Sequence, residues 1–464
     1  MKSTLIFFAQ LFLICFTLQS QLLHVPQNYG TIQEAINAAV DNDTVMVAPG
    51  EYFENINFSG KNIVVCSNFA VTNDPDDVSS TIINGSTPIH EDTASCVLIV
   101  SGEDSTAVLQ GFTLTGGTGT RWEDEHNVYH WYTEGGGILI QYSAPTIKNN
   151  IISGNEAINK PVGVTSAGGG GIRCGDGNPH ILNNVISYNQ GRYGGGIVMN
   201  YSGAVIKNNI IFGNSGGSDF GGGGLWLLSN GDEPLILINN TIVNNASSMG
   251  GGGIRQLSNS TTIINNIIWG NTASYQPQIQ GGGNIDYCCI EGGSYGVGNI
   301  DVDPDFTPIS FILSGDSPCI DAGNPDDTYN DPENPLDPGY ALYPAQGTLH
   351  SDIGAYGGPG CLQLPDIVTT IHEPIFNTKA IEINVFPNPA TSSISIDIAT
   401  NHEEIIGIQI CNSQSVCVKQ IIDKLVIKDE IIVVSDITDL SSGIYFLRIK
   451  SKNGIEVHKF IKTK

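Results

Sequence analysis

The stretch Asn149-Asn150-Ile151-Ile152-Ser153-Gly154-Asn155 decides the fold, because it returns four more times. Asn183–Asn189 (NNVISYN), Asn208–Asn214 (NNIIFGN), Asn239–Asn245 (NNTIVNN) and Asn265–Asn271 (NNIIWGN) follow at intervals of 34, 25, 31 and 26 residues. A second element alternates with it: Gly135-Gly136-Gly137-Ile138, Gly168–Ile172, Gly194–Ile197, Gly221–Leu225, Gly250–Ile254 and Gly281–Ile285. Self-similarity at this period means a stacked array, in which each unit buries its apolar face against the next.

The residues inside one unit choose among the arrays. A GGG and an NN in every repeat would break both helices of a helical repeat. Leucine-rich repeats need Leu at short fixed spacing, which is absent, and propeller blades run longer. A parallel β-helix remains, each unit one coil of short strands joined by turns. The columns agree: Ile138/Ile140, Ile172/Cys174, Ile197/Met199 and Leu225/Leu227 alternate with a variable position, as a strand with one buried face does. The fourth residue of the NN element is Ile152, Ile186, Ile211, Ile242 and Ile268, a file that must point inward. Asn suits left-handed turn positions and can stack into side-chain ladders. From Thr44 to about Leu313 the spacing gives roughly nine or ten coils, a rod of about 45 Å at about 4.8 Å per coil. Thr31–Val40 reads as a short amphipathic helix, opening with a capping box from Thr31 to Glu34, that covers the N-terminal end.

Composition fits an ordered, helix-poor chain. Of 464 residues 14% are charged and 56 are Gly, which disfavours coiled coils, while 40% hydrophobic residues suffice for a core. Net charge is 19 − 46 = −27. Residues 385–464 hold nine Lys/Arg and nine Asp/Glu, so the first 384 carry the whole excess and two modules are expected. Such a body repels nucleic acid, anionic membranes and, unless a divalent cation bridges them, polyanionic glycans. Residues 1–21, with Lys2, the apolar run Leu5–Leu18 and a small residue at Ser20, read as a secretory signal peptide, and no later segment is apolar for long enough to span a membrane. Ten Cys less Cys15 leave nine, an odd number for a compartment that permits disulfides. Cys319/Cys361 and Cys411/Cys417, the latter across the turn Asn412–Ser415, are the pairs expected.

The opening Thr31-Ile32-Gln33-Glu34-Ala35-Ile36 with Asp43–Tyr52, taken with the repeats, resembles right-handed parallel β-helix proteins of the pectin-lyase-like superfamily over about residues 23–313. Leu313–Gly358, with Ser317–Gly323 and Asp352–Gly357, resembles the region that closes the end of many such secreted proteins. The tail is similar to the type IX secretion sorting domain of Bacteroidetes through Val385-Phe386-Pro387-Asn388-Pro389-Ala390, Leu440–Ile449 and Lys459-Phe460-Ile461-Lys462. The fold expected is thus all-β: a signal peptide (1–21), a β-helix with its helical cap (22–361), a linker (362–384) and a small antiparallel β-sandwich (385–464). The resemblance implies export by the type IX machinery, then cleavage of the tail and attachment to the outer-membrane cell surface or release.

Three sets of residues could carry chemistry. Enzymes of the superfamily use an Arg or Lys base with calcium-binding acids, or clustered Asp with basic partners, and neither pattern is present, so the reading leans to a non-catalytic glycan-binding or adhesive module. A polysaccharide lyase or glycoside hydrolase on the same scaffold is the alternative. The segment Arg121–Tyr132 holds Glu123, Asp124, Glu125 and His126 for acid/base work, with Trp122 and Trp131 to stack on sugar rings, or else it folds over the rod flank. The outward column Leu139, Arg173, Val198, Trp226 and Arg255 could grip a chain molecule along the rod. Asp301, Asp303 and Asp305 present oxygens at alternate positions that suit Ca²⁺, although nothing in the pattern requires a cofactor.

Overall fold

The computed structural model describes residues 20–361, 364 and 381–464, apart from 125, 160–163, 218, 259, 308–309, 401–402, 413–416, 423–424, 428–429 and 452–454. Most of the expected signal peptide and most of the expected linker lie outside the described residues.

One coil shows how the sequence builds the rod. Ile138–Gln141, Thr146–Lys148, Ile151–Ser153 and Glu156–Ala157 are four short strands, and each pairs in parallel with the strand 34 residues later in the chain. Repetition produces three long parallel sheets. The ten-stranded sheet runs from Leu22–Val25 to Asn284–Asp286, the nine-stranded from Gly50–Tyr52 to Cys289–Ile290, and the eight-stranded from Ile56–Asn57 to Ile279–Gln280. The solenoid therefore begins at Leu22, whose strand pairs with Thr44–Val47. The helix Ile32–Ala38 is inserted between those two strands, and Ile32, Ala35 and Ile36 are buried in the same core as the coils. Thr31 accepts from the Glu34 N–H, as expected, but Glu34 reaches back to the N–H of Gly30, and Glu54 from the next coil accepts from Ile32 and Gln33.

The interior file is continuous. Ile152, Ile186, Ile211, Ile242, Ile268 and Ile290 stand in register on successive strands, and all are buried. Each contributes about 1.5–3 kcal/mol by leaving water. The two Asn of each NN divide the labour. The first (Asn149, Asn183, Asn208, Asn239, Asn265) adopts φ between 50° and 57° and turns the chain. The second (Asn150, Asn184, Asn209, Asn240, Asn266) is buried and bonds to its counterpart in the next coil. The closing Asn of each repeat forms a second ladder, Asn155, Asn189, Asn214, Asn245 and Asn271, which ends on Gln278. The glycine runs answer to crowding between coils: a Cβ on Gly171 would lie 2.6 Å from the Gly196 carbonyl oxygen.

Two departures bear on function. Gly281–Ile285 is not a sixth copy of the GGGI strand. Ile279 and Gln280 pair with Ile254 and Arg255, whereas Ile285 pairs with Ile263 in the ten-stranded sheet, and Gln278 takes the place of a further Asn at the end of the ladder. The segment from Leu313 does not cap the rod end either. It doubles back along the flank: Leu313, Cys319, Ile353, Ala355 and Tyr356 pack on the outward Ile151, Val185, Ile210, Val243, Ile267 and Cys289. Its carbonyls accept from the turn Asn column, Asp352 from Asn239 at 2.9 Å and Ala355 from Asn208 at 3.0 Å. Turn amides on the coil surface need acceptors, and this segment supplies them.

The C-terminal domain is a separate sandwich. A three-stranded antiparallel sheet (Ile381–Phe386, Ser393–Thr400, Glu430–Asp436) contributes Ile394, Ile396 and Ile398 to its core. The second sheet contributes Ile408, Ile410, Leu447, Ile449 and Phe460. Its first strand starts at Ile381, four residues ahead of the boundary read at Val385.

Candidate functional site

The residues expected to form an outward column do stand in one file. Leu139, Arg173, Val198, Trp226 and Arg255 occupy consecutive register positions, and the file continues to Gln280. Most of it is not open to a ligand. Leu139 and Val198 are fully buried, and Arg173 is 1% exposed. The Arg173 guanidinium Nε lies 2.8 Å from Glu134 Oε2, and Nη1 donates to the Ala167 carbonyl. Burial pushes the Glu134 carboxyl above its usual range, opposed by the Arg173 charge and the bond from Gln141 Nε2 at 2.9 Å. Trp226 is 7% exposed, its ring 5.0 Å from that of Tyr193. The expectation of an open Arg173 and Trp226 is therefore corrected: a second layer of chain, bearing Glu134, Ala167 and Tyr193, roofs the outer face of the sheet.

That layer begins with the segment Arg121–Tyr132, which forms a β-hairpin. Gly119–Glu123 pairs antiparallel with Trp131–Glu134, and the latter strand pairs with Ser166–Gly168. The expected acid cluster is used to build its turn. Glu123 Oε1 accepts from the Tyr129 N–H and Asp124 Oδ1 from the His126 N–H, each at 2.8 Å. His126 Nε2 lies 3.1 Å from Asp176 Oδ2, and its ring centroid is 3.9 Å from that of Tyr201, which docks the hairpin on the rod. Glu125 lies outside the described residues. Trp122 is half-buried, and Trp131 is exposed with Arg121 over its ring at 5.1 Å. The hairpin thus covers the flank, and its carboxylates meet backbone N–H groups rather than one another.

The file opens only at its C-terminal end. Arg255 is partly exposed, and its Nε and Nη1 have no acceptor; Trp226 Nε1 has no acceptor either, and Gln280 Oε1 has no donor. Around them stand Tyr275 and Phe220, 44% and 43% exposed. Arg192 lies over the Phe220 ring at 5.1 Å while its Nε is 2.7 Å from Asp219 Oδ2. Gln280 and Tyr275 are not legible as site residues, because alignment of Gly281–Ile285 with the earlier GGGI elements puts Ile285, six positions too late, in the column that Ile279 occupies. The signal that could have found Gln280 is Ile279, which continues the Ile138, Ile172, Ile197, Leu225, Ile254 column.

Asp301, Asp303 and Asp305 do not converge. Asp301 Oδ1 accepts from the Gly292 N–H, Asp303 Oδ1 from the Asp305 N–H, and Asp305 Oδ2 from the Ser314 hydroxyl. Among the described residues no group of three or more His, Cys, Asp or Glu side chains is placed to hold a metal ion.

Residues 109–268 match the family model for a right-handed beta helix region, and residues 384–463 match that of the secretion system C-terminal sorting domain. This is an exported right-handed β-helix protein. No curated protein and no solved structure matches it. The two matches fall on the two modules that charge separated, and the second assigns the sandwich to the handling of the chain by the type IX secretion system. Among the described residues of the β-helix protein no helix is long and apolar enough to cross a membrane.

The cysteines correct one expectation. Cys411 and Cys417 are paired in backbone register across their hairpin. Cys319 does not meet Cys361; it lies in the flank cluster with Cys289. Because the closing segment runs back along the flank, Cys361 ends up beside Lys207, the residue before the Asn208 turn.

Proposed function

We propose that the protein is a saccharide-binding or adhesive module carried to the cell surface or the medium, and that it binds at the open end of the outer file, around Arg255 and Gln280. The observation that carries this reading is the partly exposed Arg255 at the open end of the file, with Gln280 next to it in register and the exposed rings of Tyr275 and Phe220 around it. Part of its guanidinium is unpaired, and an unmet donor costs about 1–3 kcal/mol, so this face gains when a ligand brings acceptors and donors together. A pyranose supplies both from its hydroxyls, and Tyr275 and Phe220 offer ring faces beside them. Arg255 gives this face a local positive charge that suits a single sugar carboxylate, while the net charge of the body still repels a polyanionic chain. Trp122 and Trp131 form no part of this face; they belong to the hairpin.

A panel of immobilised neutral and uronic-acid oligosaccharides tests the reading with the full chain. Arg255→Ala should weaken binding at least about tenfold, about 1.4 kcal/mol, and Trp122→Ala should leave it unchanged. Equal affinity of Arg255→Ala and the parent for every saccharide bound would remove this face. Turnover of any polysaccharide, lost on Glu123→Ala or Asp124→Ala, would replace the reading with the lyase or hydrolase alternative.

A further inference from the structure

The last strand of the nine-stranded sheet, Cys289–Ile290, is directly preceded by a second cysteine, Cys288, and the two neighbours face opposite sides. Cys288 turns inward. It occupies the place of the ladder Asn in this coil, accepts from the Asn266 N–H at 3.4 Å, and is fully buried in the rod core. Cys289 turns outward into the second apolar cluster, where the returning closing segment packs, and its thiol donates to the Val302 carbonyl at 3.2 Å. In that same cluster lies Cys319, from the closing segment, close enough for the two side chains to interact, and both stand there as free thiols. The chain between them makes one excursion off the rod end and comes back. The Cys319 backbone carbonyl accepts from the Ile353 N–H at 2.9 Å, so this contact also anchors the run that lies on the Asn turns.

We propose that Cys289 and Cys319 form a disulfide in the exported protein, stapling the closing segment to the last coil. Each thiol gives up its proton and the pair loses two electrons as the S–S bond forms. A protein disulfide donor of the cell envelope supplies the oxidising equivalent: the Cys289 thiolate attacks its disulfide, the Cys319 thiolate then displaces the donor from the mixed disulfide, and the donor leaves as a dithiol. Export places the chain where such donors act. Both thiols are buried once the segment has docked, and the neighbouring Cys289 side chain together with burial holds Cys319 as a thiol, so the exchange belongs to the stage before docking. Cys96 and Cys174, pushed up to about 12 by burial inside the rod, have no part in it.

Peptide mapping of the full exported chain, purified without reductant and alkylated under denaturing conditions, decides the matter. The expected result is a cross-linked peptide pair holding Cys289 and Cys319, lighter by two hydrogens than the reduced pair and lost on reduction, with Cys96 and Cys174 alkylated. Cys288→Ser should keep the cross-link, and Cys319→Ser should abolish it and leave Cys289 alkylated. Full alkylation of Cys289 and Cys319 in the unreduced parent chain, or a link from Cys319 to Cys361, would overturn the proposal without reliance on any variant's folding.

Discussion

Asn209 Oδ1 accepts two hydrogen bonds from Asn184, one from its backbone N–H at 2.9 Å and one from its Nδ2 at 3.0 Å. The Asn209 Nδ2 in turn donates to the Ile181 and Lys207 carbonyls and to Asn240 Oδ1. One side chain therefore satisfies backbone groups of two coils that the turn would otherwise leave buried and unpaired, and links to the side chain of a third. The ladder is a structural spine; the Ile file beside it supplies the apolar drive, and the Asn file keeps the turns from costing more than that drive yields.

Asn209→Ala should destabilise the rod by about 2–4 kcal/mol, because it strands the Asn184 N–H and two carbonyls at once. Denaturant unfolding monitored by far-UV circular dichroism measures it. Thr262→Ala, on the partly exposed side of its strand, serves as the reference and should change stability by less than about 0.5 kcal/mol.

Arg173→Met leaves Glu134 buried opposite an apolar chain. We expect a loss of about 3–5 kcal/mol, and the double substitution Arg173→Met with Glu134→Gln should recover most of it, since a neutral amide needs no counter-charge. A double variant as unstable as the single one would show that the pair acts through packing alone.

The flank segment should loosen as pH rises. Asp331 and Asp352 sit together there, buried, each accepting from two backbone N–H groups. Burial pushes Asp331 up to about 8, helped by the neighbouring Asp352 charge, and Asp352 up to about 7. Both folded values lie above the unfolded value of about 3.9. The folded state thus holds protons that the unfolded chain has released between about pH 4 and 8, so this contribution to stability is fully present below that window and is lost as pH rises through 7 to 8. Melting temperature followed from pH 6 to 9 should fall, and Asp352→Asn should flatten the slope even if it lowers the whole curve. A parent curve that rises across this range would exclude the pair as its source.

The sequence made the solenoid legible because period, inward column and turn residue all recur in each coil: Ile152 and Ile186 could be superposed by eye, and the structure pairs them directly. The sandwich was legible from three landmarks in order. Arg173 shows where that reading stops. Alternation tells which side of a strand faces the core, but it is silent on whether another stretch of chain covers the opposite side, and the residue that covers Arg173 is Glu134, 39 positions earlier in a hairpin that no repeat announces. Cys319 illustrates the same limit. Its partner depends on the path of a non-repeating segment, and that path is fixed by scattered contacts such as Asn239 to the Asp352 carbonyl rather than by any period.

The stacking of coils is tested most directly by distance. Thr146, His180, Val205, Ile236 and Thr262 form one register file on the partly exposed side of the ten-stranded sheet. Nitroxide labels on Cys substituted for Thr146 and Thr262, four coils apart, should give a narrow electron–electron dipolar distance centred at about 19 Å, four steps of about 4.8 Å. Labels at Thr146 and Ile236 should come closer by one step. A broad distribution, or a separation that grows with the number of residues between the labels instead of the number of coils, would contradict the stacked ribbon and with it the binding face drawn on its flank.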